Sequence, residues 1–67
     1  MIVVGDMVVD TLDSDSPLGL VVESKELDGT HLFELLWSDL RRERVTPLYA
    51  RKFLRVVKSL DASEKTR

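Results

Sequence analysis

The stretch at residues 18–37, LGLVVESKELDGTHLFELLW, contains the pattern that decides the fold. The dipeptide Asp28-Gly29 separates two runs rich in apolar residues, and it is among the strongest sequence signals for a turn between antiparallel strands. Three residues of the second run share one face of an extended chain: Phe33, Leu35 and Trp37. The other face of this run is also largely apolar. The stretch therefore predicts a β-hairpin whose second strand lies in the middle of a sheet.

Further strands are indicated on both sides of this hairpin. The segment IVVGDMVVDTL (residues 2–12) favours a strand bent near Gly5, and DSDSP (residues 13–17) is typical of a turn. Gly19 indicates a close backbone approach or a bulge. After a tight turn over residues 38–40, RRERV (residues 41–45) predicts a fourth strand that alternates its charged side chains between two faces.

The last part of the sequence predicts a short helical turn followed by a final strand. Thr46 is a favourable N-cap and Pro47 suits the first helical position, so we predict a single 3₁₀ turn through about Arg51. FLRVV (residues 53–57) then predicts the fifth strand. A longer helix over residues 47–60 is the alternative, because its apolar residues show some helical periodicity.

Five short strands with closely spaced turn signals predict an all-β domain that closes, or nearly closes, into a small barrel. We expect this barrel to span residues 1–60, followed by a flexible tail at residues 61–67. The chain of 67 residues is small for a stable core and has no cysteine and one histidine, so disulfides and multi-histidine metal sites are excluded. Without a signal peptide or a 20-residue apolar run, we expect a soluble, cytoplasmic protein and no membrane partner.

Catalysis is not expected. His31 is the one side chain that titrates near neutrality without help, and it lies beside the predicted turn. No nucleophile elbow is present. Asp10, Asp13 and Asp15 are spaced as ligands of a hard cation, but Pro17 interrupts a calcium-loop register, and a solvated turn is the preferred interpretation. We therefore expect a protein without catalytic residues, cofactor or metal.

Charge is distributed unevenly along the chain. Residues 1–40 hold nine acidic residues and one lysine, a net charge of −8, whereas residues 41–58 hold seven basic residues and one glutamate, a net charge of +6. Such asymmetry is typical of proteins that bind a polyanionic partner or that associate with themselves through opposite charges. If the fourth and fifth strands are neighbours in the barrel, the cations would form one patch. The candidate binding residues are Arg41, Arg42, Arg44, Arg51, Lys52 and Arg55.

Two aromatic residues complete the candidate binding site. Trp37 lies on the same face of the predicted strand as Phe33 and Leu35, which favours a position in the core. Alternatively, its ring is a stacking platform for a nucleic acid base. Tyr49 either closes one end of the barrel or lines a groove. With arginines for phosphates and these rings for bases, the residues are compatible with RNA or single-stranded DNA.

The phrases VGDMVVD, LGLVVES, FELLWSD and FLRVV resemble a loose pattern in short bacterial and phage proteins with a Src-homology-3-like (SH3-like) small barrel. KOW, Tudor and Sm-like domains are more distant relatives of that barrel. The resemblance covers residues 2–58, and Leu40 stands where such proteins commonly have glycine. It implies a five-stranded SH3-like barrel with a 3₁₀ turn before the last strand. We expect a binding module for a protein partner or for homo-oligomeric assembly, with nucleic-acid binding through residues 41–58 as the alternative.

Overall fold

The computed structural model describes residues 2–59, which contain one antiparallel sheet of five strands and a short helix. The elements are β1 (Met7–Asp10), β2 (Gly19–Leu27), β3 (Thr30–Trp37), β4 (Arg42–Val45), α1 (Pro47–Phe53) and β5 (Leu54–Lys58). The predicted all-β class is confirmed. Residue 60 and the predicted tail at residues 61–67 lie outside the described part of the chain.

The strand order in the sheet is β4-β3-β2-β1-β5. Strands β3, β2 and β1 each have a neighbour on both sides, as predicted for β3, while β4 and β5 are the two edges. Within residues 2–59 the sheet is not closed, and no ladder joins β4 to β5. The predicted strand adjacency that would have united the cations of residues 41–58 is therefore not observed.

The hairpin of β2 and β3 has the predicted turn. Asp28 and Gly29 both have positive φ angles, of 52° and 78°, which is the backbone that a two-residue hairpin connection of type I′ requires. The flanking residues Leu27 and Thr30 are paired. Further along, the register shifts between Val21 and Glu23, so β2 carries a bulge that changes which residues face outward.

Gly19 is the predicted position of close approach, and its neighbour is Trp37, its register partner on β3. A Cβ atom added to Gly19 would lie 2.7 Å from Cε3 of the indole. The indole therefore lies flat against the backbone of β2, and glycine is the residue that leaves space for it.

The first strand is shorter than predicted, because the chain turns at Val4 and Gly5 before the strand begins. Gly5 has a φ of 99°, the Asp6 backbone N–H donates to the Val3 carbonyl at 3.0 Å, and the Asp6 carboxylate accepts from the Val3 N–H at 2.9 Å. These local bonds hold the turn, and β1 begins at Met7, although the Gly5 N–H still donates to the Val21 carbonyl at 2.9 Å and the Asp6 carbonyl accepts from the Val21 N–H at 3.0 Å.

The prediction of a single 3₁₀ turn is wrong: Pro47–Phe53 is an α-helix of seven residues. The start agrees, since Thr46 accepts from the Tyr49 N–H and proline follows the cap. The helix continues past Arg51 to Phe53 and ends where Leu54 turns extended and pairs with Asp10 of β1. The alternative of a helix over residues 47–60 is also excluded, because residues 54–58 are strand.

The core lies between the inner face of the sheet and α1. Its buried apolar residues are Ile2, Val8, Val21, Phe33, Leu35, Trp37, Val45, Ala50 and Leu54. Phe33, Leu35 and Trp37 contribute the inner face of β3, which confirms the phase read from the sequence. The opposite face of the sheet, called the outer face here, carries the features from which a function can be argued.

Candidate functional site

The outer face carries an apolar patch that crosses three strands. Met7, Leu20 and Leu36 are register partners on β1, β2 and β3, so their side chains lie side by side. The row is flanked by a cation at each end, since Lys58 of β5 pairs with Met7 and Arg42 of β4 pairs with Leu36. Two further leucines, Leu18 and Leu40, line one shallow depression together with this row. The apolar patch comprises Met7, Leu18, Leu20, Leu36 and Leu40.

Three leucines of the apolar patch are exposed: Leu18 by 43%, Leu20 by 36% and Leu40 by 83%. A contiguous group of exposed aliphatic side chains with a polar rim is typical of an interaction surface in a small protein. One solvated face of an antiparallel sheet is normally polar, and here part of that face is apolar.

Leu40 adopts a backbone conformation that leucine avoids. It closes the β3–β4 turn, with its N–H donated to the Trp37 carbonyl at 2.8 Å, and its φ is 73°. In this left-handed region the Cβ approaches the following carbonyl, at a cost of about 1–2 kcal/mol for a residue other than glycine. The chain therefore holds a strained, highly exposed leucine at the rim of the apolar patch.

Further along the strands, the outer face carries a charged cluster built around Glu34. The Glu34 carboxylate accepts a hydrogen bond from Arg42 at 2.7 Å and lies 3.7 Å from Arg44 and 3.9 Å from Lys25. Lys25 also lies 3.6 Å from Glu23. The hydrogen bond from Arg42, with the nearby cations, holds the pKa of Glu34 below its usual value. Arg42 and Arg44 therefore point the same way, as predicted, but both are already paired.

Arg41 lies outside β4 and caps the β3–β4 turn. Its Nε donates to Asp39 at 2.9 Å, and its guanidinium lies 6.0 Å from the centroid of the Trp37 ring. This pairing lowers the pKa of Asp39 and raises that of Arg41. Among the predicted binding residues, Arg41, Arg42 and Arg44 thus form one paired group.

The remaining predicted cations lie elsewhere. Arg51 and Lys52 are exposed on α1, and Arg55 lies on edge strand β5, beside a groove lined by Asp10 and Asp13. None of these three cations forms an ion pair within residues 2–59. Arg51 also borders a small apolar groove formed by Ile2, Pro47, Leu48 and Ala50. The sheet therefore separates the predicted cations into a paired group near β4 and an unpaired group on α1 and β5.

Neither predicted aromatic residue offers an open ring. Trp37 is 3% exposed, and its indole N–H donates to Glu43 at 3.0 Å, which confirms the core interpretation. Tyr49 is half-buried against Phe53, with 4.9 Å between ring centroids, and its hydroxyl donates to Asp10 at 2.7 Å. This hydrogen bond, helped by burial and the carboxylate charge, raises the pKa of Tyr49 to about 12. Tyr49 thus ties α1 to the end of β1.

His31 lies at the hairpin end of β3, where its Nε2 shares a hydrogen bond of 2.8 Å with the Ser24 hydroxyl. Across residues 2–59, no group of three histidine or acidic side chains is arranged to hold a metal ion. Nor does that part of the chain contain a helix long and apolar enough to cross a membrane.

Reasoning from the sequence alone missed the apolar patch. Its signal was present in β2, where Leu18, Leu20 and Val22 alternate with Gly19 and Val21, so that both phases of the strand are apolar. Leu40, in a position that favours glycine, was a second signal.

Comparison of the chain with models of protein families, with curated proteins and with solved structures found no match. The function is therefore argued from the surface of this chain.

Proposed function

We propose that this chain is a non-catalytic binding module that docks a protein through the apolar patch of its outer sheet face. The exposure of Leu40, by 83% in a strained conformation, is the observation that carries the proposal. A backbone outlier that costs stability is a reason to look for a function at that place. An aliphatic surface of this kind is better suited to another protein than to nucleic acid, which is read by cations and aromatic rings.

The proposal includes the finer fold type. The strand order β4-β3-β2-β1-β5, the helix before the last strand and the bulge in β2 support an SH3-like small barrel that is open between its edge strands. In this arrangement the outer face is a continuous surface of five strands, available to a partner as a whole.

Site-specific photo-crosslinking tests the docking surface. With benzoylphenylalanine in place of Leu40, we expect a covalent adduct with a protein in the cells that make this chain, because the side chain would lie inside the interface. The matched control is the same group at Leu27, which is 46% exposed at the opposite end of β2 and outside the apolar patch. Equal adducts from both positions, or none from Leu40, would contradict the proposal.

Nucleic-acid binding is the second candidate function, and the unpaired cations favour it. Within residues 2–59 Arg51, Lys52 and Arg55 form no ion pair and could contact phosphates, whereas Arg42 and Arg44 are engaged by Glu34. Binding of a labelled single strand that weakens steeply with salt, and that Arg51→Glu with Lys52→Glu abolishes, would support it. The control pair Arg42→Gln and Arg44→Gln should leave such binding largely unchanged.

A further inference from the structure

We propose that the partner at the apolar patch is a second copy of this chain, packed face to face and antiparallel as a two-fold symmetric dimer. This inference rests on the proposed docking function and names its occupant. It is carried by the distribution of charge around the apolar patch.

Three kinds of surface follow one another along the strands of the outer face. The acidic loop, defined as residues 11–17, immediately precedes Leu18 and carries the exposed carboxylates of Asp13 and Asp15. The apolar patch comes next. Beyond it lies the charged cluster, in which three cations surround two carboxylates: Lys25, Arg42, Arg44, Glu23 and Glu34. The order is acidic, apolar, then net basic.

A two-fold axis that lies across the strands reverses this order in the partner. The apolar patches of the two copies then cover each other, at the separation of about 10 Å that packed sheets adopt. The acidic loop of each copy lies over the charged cluster of the other. Because the interface is isologous, each favourable contact occurs twice.

Two other symmetric arrangements put like charges together. With the axis along the strands, the acidic loop of one copy covers the acidic loop of the other, and the two charged clusters also cover each other. Pairing of two β4 edges centred on Glu43 would place that carboxylate opposite itself and Arg42 opposite Arg44, and directly opposed like charges destabilise a strand pair. The antiparallel face-to-face arrangement is the one that the charges favour.

The size of the chain supports the same occupant. A domain of 67 residues without a disulfide buries too little surface to be more than marginally stable. Small domains commonly add a partner subunit for this reason. A second copy packed on the outer face would bury the apolar patch, so that the sheet would have apolar contacts on both faces.

Sedimentation equilibrium of the purified full chain tests the dimer. We expect a mass of twice the 7.6 kDa chain, with dissociation on dilution and in high salt. Leu40→Gly removes the most exposed side chain of the interface while relieving its strained φ, so it should weaken the dimer by about tenfold or more without harming the fold. Asp15→Lys should also weaken it, since Asp15 belongs to the acidic loop and forms no ion pair within residues 2–59.

Glu26→Lys makes the same charge change at an exposed position outside the interface and should leave the dimer intact. A monomer at every concentration, or a dimer indifferent to Leu40→Gly and Asp15→Lys, overturns this inference. If the chain is a monomer but still crosslinks through position 40 to a different protein, the dimer is excluded and the proposed docking function remains. A monomer without any crosslink removes both.

Discussion

Individual residues set the geometry of the outer face, and Gly19 is the clearest case. Its lack of a side chain lets the Trp37 indole lie against β2, so that the indole fills the core while Leu18 and Leu20 remain on the outer side. A single methyl group at this position would push the two strands apart at the edge of the apolar patch.

We therefore expect Gly19→Ala to destabilise the fold by about 2 kcal/mol, because the new Cβ would overlap the indole at 2.7 Å. Urea denaturation measures the free energy of unfolding. The cost should shrink when Trp37 is first replaced by Phe, whose smaller ring vacates the space. An equal cost in both backgrounds would show that the indole is not the cause.

Leu40 combines a strained backbone with an exposed apolar side chain. Leucine at a φ of 73° is strained, and 83% of it is in contact with solvent, so neither the backbone nor the core benefits from it. Packing within residues 2–59 does not explain why the turn carries leucine rather than glycine. Burial of Leu40 in a complex, as proposed above, would explain it.

At the scale of elements, α1 is held to the sheet by polar contacts as well as by packing. Tyr49 donates to Asp10, and the Thr11 N–H and hydroxyl both donate to the Phe53 carbonyl, at 2.7 and 2.8 Å. These bonds connect the two ends of α1 to β1 and to the acidic loop. Loss of the Tyr49 contact should loosen the loop as well as the helix.

The Tyr49 contact should make stability fall at high pH. The phenol must keep its proton to donate to Asp10, and its pKa rises from 10.0 to about 12 in the folded chain. Its contribution is fully present below pH 10 and is lost as the pH rises through about 12. Tyr49→Phe should lower stability near neutrality by about 1 kcal/mol and flatten this alkaline loss. Urea midpoints against pH, compared between the two proteins, measure the difference. Parallel curves would contradict the role given to the hydroxyl.

The charged cluster makes a prediction at low pH. Since Arg42 and its neighbours lower the pKa of Glu34 from 4.5, the carboxylate stabilises the fold above that pH, and this is lost as the pH falls through the lower value. Glu34→Gln should therefore lose less stability on acidification than the native chain. Glu26→Gln, at an exposed position without an ion pair in residues 2–59, should behave as the native chain does. The melting temperature between pH 6 and about pH 3 provides the comparison.

The sequence predicted elements whose signals are local. Asp28-Gly29 determines the hairpin, and the Thr46-Pro47 pair determines where α1 begins. The end of α1 could not be predicted in the same way, because it is set by the pairing of Leu54 with Asp10, more than forty residues earlier. Similarly, apolar residues on both faces of β3 predicted a strand in the middle of the sheet, but did not say what would cover its outer side.

At the scale of the whole molecule, the acidic and basic residues are arranged differently from what the sequence predicted. The acidic and basic residues do not simply occupy two sides of a barrel. Glu34 pairs with Arg42 and Arg44, Arg55 lies beside the acidic loop, and the α1 cations form no ion pair with another residue of the described part, 2–59. Because of this arrangement the basic residues of 41–58 do not form one patch, and the apolar patch is the stronger candidate for a binding surface.

Dimerisation through the apolar patch would make stability depend on concentration. Since association stabilises only the folded chain, the melting temperature of the native protein should rise by about 4 °C for each tenfold increase in protein concentration. For Leu40→Gly, whose dimer should be weaker, the melting temperature should rise less over the same range of concentration, yet at high dilution this variant should melt above the native chain, because the strain at φ 73° is gone. The two curves should therefore cross. Leu27→Gly, an equal truncation outside the patch, should lower the melting temperature while keeping the native slope. Curves of equal slope for the native chain and Leu40→Gly would mean that this strained leucine does not serve association.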